Sequence, residues 1–217
     1  MKIALIGASG FVGSAVLKEA LDRGHEVTAI ARHPEKIAIE NTNLKKVKAN
    51  ALNADEVAEA VKEHDAVINA YNPGWANPNI YNEFLQGAQT IQEGVKKSGV
   101  KRLFAIGGAG SLFVAPDVQL VDSPEFPQAW KQGALAARDY LNIIKKENDL
   151  DWTFLSPAIE MHQGTSGQRK GSYRKGLDNP VFNEHGRSII SVEDMAIAII
   201  DEIENPEHIR QRFTVAY

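Results

Sequence analysis

Three glycines spaced three apart, Gly7-Ala-Ser-Gly10-Phe-Val-Gly13, stand between a strand-like run, Lys2 to Ile6, and a helical pattern that stops at Gly24. That pattern is Val12, Val16, Leu17, Ala20 and Leu21, spaced to line one face of a helix. A strand, a tight glycine turn and a helix in immediate succession leave few folds open. Gly7 permits the tight turn, Gly10 lets the backbone approach a pyrophosphate, and Gly13 allows the helix to pack close to the strand. The helix start, at Phe11 and Val12, offers free N–H groups and the positive end of the helix dipole to the phosphates. Ser9 adds a hydroxyl donor. Gly7, Ser9, Gly10, Phe11, Val12 and Gly13 are therefore the first candidate cofactor-binding residues.

The rest of the chain repeats this alternation. Strand-length apolar runs recur at Glu26–Ala31, Lys45–Lys48, Ala66–Asn69, Arg102–Ile106, Trp152–Leu155 and Arg212–Ala216. Helical stretches lie between them, including Tyr81 to Lys97 and Gln128 to Lys146. Asn53-Ala-Asp-Glu56 and Ser191-Val-Glu-Asp194 carry helix-opening caps. Strand and helix in turn predict an α/β fold, a Rossmann-type doubly wound parallel sheet with helices on both faces. The 217 residues fit a single domain, 1–217, with a small C-terminal portion over the substrate. Two segments depart from the pattern. Residues 71–79 hold Pro-Gly and Asn-Pro turns and a Trp, and residues 161–187 are polar and too long for an ordinary connection. Both leave the carboxyl ends of strands, where open α/β sheets bind ligands, and so are read as substrate-site loops.

Composition narrows the function. There are 24 Lys and Arg against 28 Asp and Glu, a net charge of −4, which argues against nucleic acid as a partner. The longest apolar runs, such as Ile3 to Ile6, fall far short of the about 20 residues that span a bilayer, so no membrane association is expected. Met1-Lys2 enters a strand with no apolar leader, which points to the cytoplasm. There is no Cys, and His25, His33, His64, His162, His185 and His208 form no metal-ligand spacing, so no metal is expected. Gly-x-Ser-x-Gly and the Gly-Lys-Ser/Thr ending of a triphosphatase loop are both absent.

The Gly-x-x-Gly-x-x-Gly spacing resembles the short-chain dehydrogenase/reductase superfamily in its extended and atypical branches, over nearly the whole chain. The resemblance implies that the residue ending the second strand meets the adenosine ribose. An acid there accepts from both hydroxyls of NAD, whereas here Arg32 is placed to clamp a 2′-phosphate, which favours NADP(H) over NAD(H). His33 and Lys36 add positive charge. Where the family commonly has an Asp by the adenine this chain has none, and the contact falls to Asn50, Ala51 and Leu52. By the same likeness Asn69, Ala70 and Tyr71 pass the ribose, Gly107 and Gly108 leave room for the nicotinamide, and Pro157, Ala158 and Ile159 pass its amide.

Most members of the superfamily use Tyr-x-x-x-Lys, in which Lys lowers the Tyr pKa for proton exchange with a carbonyl or alcohol. Four positions after Tyr71, Tyr81, Tyr140 and Tyr173 stand Trp75, Leu85, Ile144 and Leu177, and Tyr217 is the last residue, so no Tyr has its Lys. Hydride transfer to a flavin, quinone or similar planar acceptor needs little or no protein acid, because positioning supplies most of the catalysis. Gly107-Gly-Ala-Gly-Ser-Leu112, Trp152-Thr-Phe-Leu-Ser-Pro157, Gly171-Ser-Tyr-Arg174 and Arg212-Phe-Thr-Val-Ala-Tyr217 resemble the small NADPH-dependent reductases of the NmrA-like and biliverdin-IXβ/flavin reductase group. That likeness puts Ser111 at the active-site Ser position, where it either donates to substrate or caps its own turn. Trp75, Phe113, Trp130, Met161, His162 and Tyr173 are candidate walls of a planar slot. Two rival readings stand beside the reductase. One is a non-catalytic NADP(H)-binding redox sensor of NmrA type that signals to a protein partner. The other is an NAD-dependent sugar-nucleotide epimerase or dehydratase. A homo-oligomer is compatible with all three.

Overall fold

The computed structural model describes residues 1–217. Eight strands form one sheet in the order β3-β2-β1-β4-β5-β8-β10-β9. These are β1 (Lys2–Ile6), β2 (Glu26–Ala31), β3 (Leu44–Lys48), β4 (Ala66–Asn69), β5 (Arg102–Ile106), β8 (Asp151–Ser156), β9 (Arg174–Gly176) and β10 (Gln211–Ala216). All neighbours run parallel except β9, which pairs antiparallel with β10. The remaining strands, β6 (Phe113–Ala115) and β7 (Val118–Gln119), make a separate hairpin. The seven strands read from the sequence are all present, with boundaries moved by no more than a residue. The doubly wound α/β fold is as expected.

The helices are α1 (Phe11–Asp22), α2 (Ala54–Val61), α3 (Ile80–Ser98), α4 (Gln128–Ile144) and α5 (Val192–Glu204). Because β1, β4 and β5 are apolar on both faces, each face must be covered. A core of 26 residues joins one face to α1 and α5, and another of 23 joins the opposite face to α2, α3 and α4. Caps set the helix starts. The Asn53 side chain accepts from the backbone N–H groups of Asp55 and Glu56, and that of Ser191 accepts from Asp194.

Residues 161–187 are not loop throughout. They contain β9, which adds an edge strand to β10 with Ala216 opposite Arg174. Three polar residues, Arg-Lys-Gly, carry no alternation that a sequence reading can detect. The β6–β7 hairpin was likewise hidden, its strands being two and three residues long. No helix is long and apolar enough to cross a membrane.

Candidate functional site

The glycine turn is built by backbone contacts that only glycine allows. Gly7 has φ +83, its N–H donates to Ile30 O at 3.0 Å, and a Cβ on it would stand 2.5 Å from Ala70 O. A Cβ on Gly13 would stand 2.1 Å from Gly7 O. Both contacts are with backbone that cannot yield. Gly10 differs, because the nearest atom to its hypothetical Cβ is Gly7 O at 3.3 Å and its outer side is open. Gly10 also stands at the N-cap of α1 with no side chain capping the helix. Ser9, Gly10 and Phe11 are exposed, and Val12 is half-buried. The result is a bare backbone cradle at a helix N-terminus, with room that a side chain would fill, and it fits a pyrophosphate.

Toward β3, Arg32 is exposed at the end of β2, and the adjacent His33 is taken by Glu35 at 3.1 Å. Tyr71 follows β4, and its ring lies on α3 so closely that a Cβ on Gly87 would be 2.2 Å from it. Burial raises the Tyr71 hydroxyl pKa, with Glu83 adding to the rise and the Arg32 charge opposing it. The Arg32 charge is thus near enough to be felt at the phenol. Asn50 is exposed and accepts Leu52 N–H at 3.1 Å through its side chain, while Glu56 accepts Asn50 N–H at 2.8 Å. Ala51 is buried and Leu52 half-exposed, so this loop presents mainly the Leu52 side chain and polar edges.

At the other end of the groove, Asn69 is buried and its Oδ1 accepts Tyr71 N–H at 3.0 Å, which fixes the turn through Ala70. Gly107 does not leave space for a ring as expected. A Cβ there would meet the Phe154 ring at 1.9 Å, so the missing side chain makes room for Phe154. Gly108 has only Ala137 at 3.4 Å. Pro157 and Ala158 are buried, and Ile159 alone of that segment is exposed, at 37%.

The sequence profile described as NAD(P)H-binding matches residues 7–206, nearly the whole chain. The chain belongs to the NAD(P)H-binding family. It is 41% identical to the uncharacterized Bacillus subtilis protein YwnB, over 99% of this chain and 98% of that protein. A candidate epimerase from Bacteroides thetaiotaomicron has a solved structure that superposes with a TM-score of 0.92, at 52% identity, over 100% of this chain and 96% of that one. A candidate NADH-flavin reductase from Streptococcus pneumoniae superposes at 0.84, with 33% identity, over 100% and 99%. The resemblance to the short-chain dehydrogenase/reductase superfamily, read first from the glycine spacing, holds.

In this NAD(P)H-binding protein the residues expected to line a planar slot are only partly brought together. Trp75 and Trp130 are both associated with α4. The Trp75 ring packs on Gly133 of α4, Trp130 stands one turn earlier on the same helix, and the two are 57% and 52% exposed. Phe113 is half-buried on β6, and Met161 is half-buried against the α1–α5 core. His162 is exposed but occupied, because its Nδ1 accepts Gly164 N–H at 3.0 Å and caps a short turn. Tyr173 stands just before β9, beside the carboxyl end of β10, but its ring packs against the α1–α5 core and its hydroxyl donates to Asp201 of α5 at 2.6 Å, so its side chain is already engaged.

Ser111 also requires correction. It is wholly buried, donating to Gly108 O at 3.1 Å and paired with Ser156 Oγ at 3.0 Å, so its hydroxyl closes a turn and does not face the cleft. Sequence reasoning missed Gly133, which seats Trp75, and Arg212, whose buried guanidinium reaches Ser111. An Arg at the start of the strand-like Arg212-Phe-Thr-Val-Ala216 run was the one available signal for the latter.

Proposed function

We propose that this protein passes hydride from NADPH to a flavin, quinone or similar planar acceptor. The observation that carries the reading is two half-exposed indoles on α4, Trp75 packed on Gly133 and Trp130 one turn earlier on that helix. Bound NADPH supplies the hydride. The chain's own work is to hold two rings in register. The Gly7–Gly13 backbone and the α1 N-terminus take the pyrophosphate, Arg32 takes the 2′-phosphate, and the Pro157–Ile159 segment runs past the nicotinamide amide. Trp75 and Trp130 supply a flat apolar surface on which a conjugated acceptor stacks. The acceptor proton comes from water, since Ser111 is buried and His162 is engaged in a cap.

Epimerisation of a sugar nucleotide finds no Tyr-x-x-x-Lys pair to move its proton. A redox sensor that signals to a protein partner shares the same groove, and its distinguishing property is binding without turnover. Steady-state oxidation of NADPH and NADH with riboflavin, FMN and a quinone series is the test. Turnover with a planar acceptor and a preference for NADPH are expected. Tight binding with no turnover from any acceptor would replace the reductase by the sensor.

A further inference from the structure

The buried guanidinium of Arg212 joins four separate pieces of chain. Arg212 lies on β10, opposite Phe154 of β8, with its side chain 1% exposed. Its Nε and Nη2 donate to Asp178 Oδ1 at 2.9 and 2.5 Å. Its Nη1 donates to Ser111 O at 3.1 Å and lies 3.4 Å from both Ser111 Oγ and Ser156 Oγ. Each partner belongs to a segment with a place in the site. Ser111 closes the turn that follows Gly107 and Gly108, Ser156 immediately precedes Pro157–Ile159, and Asp178 lies in the 161–187 segment just after β9.

The attachment of that segment is reinforced from the backbone. Phe113 N–H donates to Asp178 O at 2.8 Å, and the Asn179 side chain donates to Phe113 O at 2.8 Å. The charges are unequally placed. Arg212 is shut away from water while the Asp178 side chain is 59% exposed, so Asp178 is the carboxylate that meets this buried cation. A buried guanidinium whose partner is removed must find water or move, and here movement would pass to Ser111 and Ser156. Nothing about the fold itself needs an ion pair there, since β10 already pairs with β8 and β9 through its backbone.

We propose that Arg212 is a positioning residue for the hydride-transfer site, and that Asp178 latches the 161–187 segment to it. The positioning role rests on the reductase reading above, whereas the latch does not. Through Ser111 and Ser156 the guanidinium sets the spacing of the two segments that flank the nicotinamide. Through Asp178 it ties the acceptor-side segment to the same point. Small displacements of reacting rings slow transfer steeply, so loosening this point should act on kcat before it acts on cofactor affinity.

The test compares Asp178→Ala, Asp178→Asn and the unaltered protein, the changes falling on a side chain that is 59% exposed. Hydrogen–deuterium exchange is followed with NADPH bound, and NADPH Kd and kcat with the best acceptor are measured alongside. In Asp178→Ala, exchange should rise together in residues 109–113 and 174–182, with NADPH Kd within about twofold and kcat down by about tenfold or more. Asp178→Asn, which keeps an acceptor oxygen but no charge, should fall between. Faster exchange confined to 174–182, or none, would overturn the latch. Coupled exchange with kcat unchanged, or a parallel loss of NADPH affinity, would overturn the positioning role. A wild-type protein inert with every acceptor would remove the reductase reading, and with it the positioning role, while the exchange result still decides the latch.

Discussion

Trp75 and Gly133 are in contact across 58 residues of sequence because Gly133 has no side chain: a Cβ there would stand 2.6 Å from Trp75 Cζ3 and 2.9 Å from the Ile80 Cδ1. Both atoms are the far ends of flexible side chains, and the indole is 57% exposed. In Gly133→Ala the ring should therefore swing away at little cost in stability, below the about 1–3 kcal/mol of overpacking a closed core. The expected signs are a shift in tryptophan emission and a severalfold rise in acceptor KM, with the melting temperature almost unchanged. A large fall in melting temperature would mean that the ring cannot move.

Two glycines of the cofactor turn should respond oppositely. Gly13→Ala drives a methyl into Gly7 O, a backbone atom fixed by β1 and α1, and should lose about 3 kcal/mol or more of stability. A Cβ on Gly10 meets only one atom, at 3.3 Å, so Gly10→Val should lower the melting temperature of the free protein far less than Gly13→Ala does. It should nevertheless abolish the rise in melting temperature on adding NADPH. Thermal unfolding of both variants, with and without cofactor, separates the two roles.

Arg32 has one expected effect, on the 2′-phosphate. Losing a charge-assisted hydrogen bond costs about 1.5–3 kcal/mol, so Arg32→Ala should weaken NADPH binding by roughly 10- to 100-fold. NADH binding should change by about twofold or less. Fluorescence titration with both cofactors measures this, and equal losses would show that Arg32 does not read the phosphate.

Ser111→Ala tests the corrected reading of that residue. Removing a buried hydroxyl that joins Gly108 and Ser156 should lower stability by about 1 kcal/mol. Turnover should stay within about twofold, because Arg212 also holds the Ser111 carbonyl oxygen, which the substitution keeps. A hundredfold fall in kcat with normal stability would restore a direct role for the hydroxyl.

Glu147 predicts an acid limit to stability. Burial alone would raise its carboxyl, but the Asp149 backbone N–H, Lys96 and Gln92 outweigh burial and hold it at about 2. A folded pKa below the unfolded one gives stability that is complete above about pH 4.3 and is lost as pH falls toward 2. Glu147→Gln should therefore be less stable than the unaltered protein by about 1–3 kcal/mol at pH 7, with the gap closing near pH 2–3. Urea unfolding across that range is the measurement, and a gap independent of pH would assign the loss to packing.

Much of this protein could be read along the chain. The glycine spacing, the continuous apolar strands and the caps at Asn53 and Ser191 are local signals, produced by residues within a turn or two of one another. They determine the α/β alternation and the phosphate cradle, because a strand–glycine turn–helix unit is specified almost entirely by its own backbone sterics. Arg32 belongs to the same class, since its place at the end of β2 follows from strand length alone.

The surroundings of the expected acceptor slot were decided only by tertiary structure. Which side Tyr173 faces depends on the pairing of β9 with β10, and three polar edge residues do not announce a strand. Whether Gly107 makes room for a ligand or for Phe154 depends on the register between β5 and β8. Ser111 looked available in a glycine-rich segment, yet Ser156 and Arg212, 45 and 101 residues away, enclose it. Local sequence sets backbone conformation through short-range sterics, whereas the direction and burial of a side chain depend on partners that only the folded chain brings together.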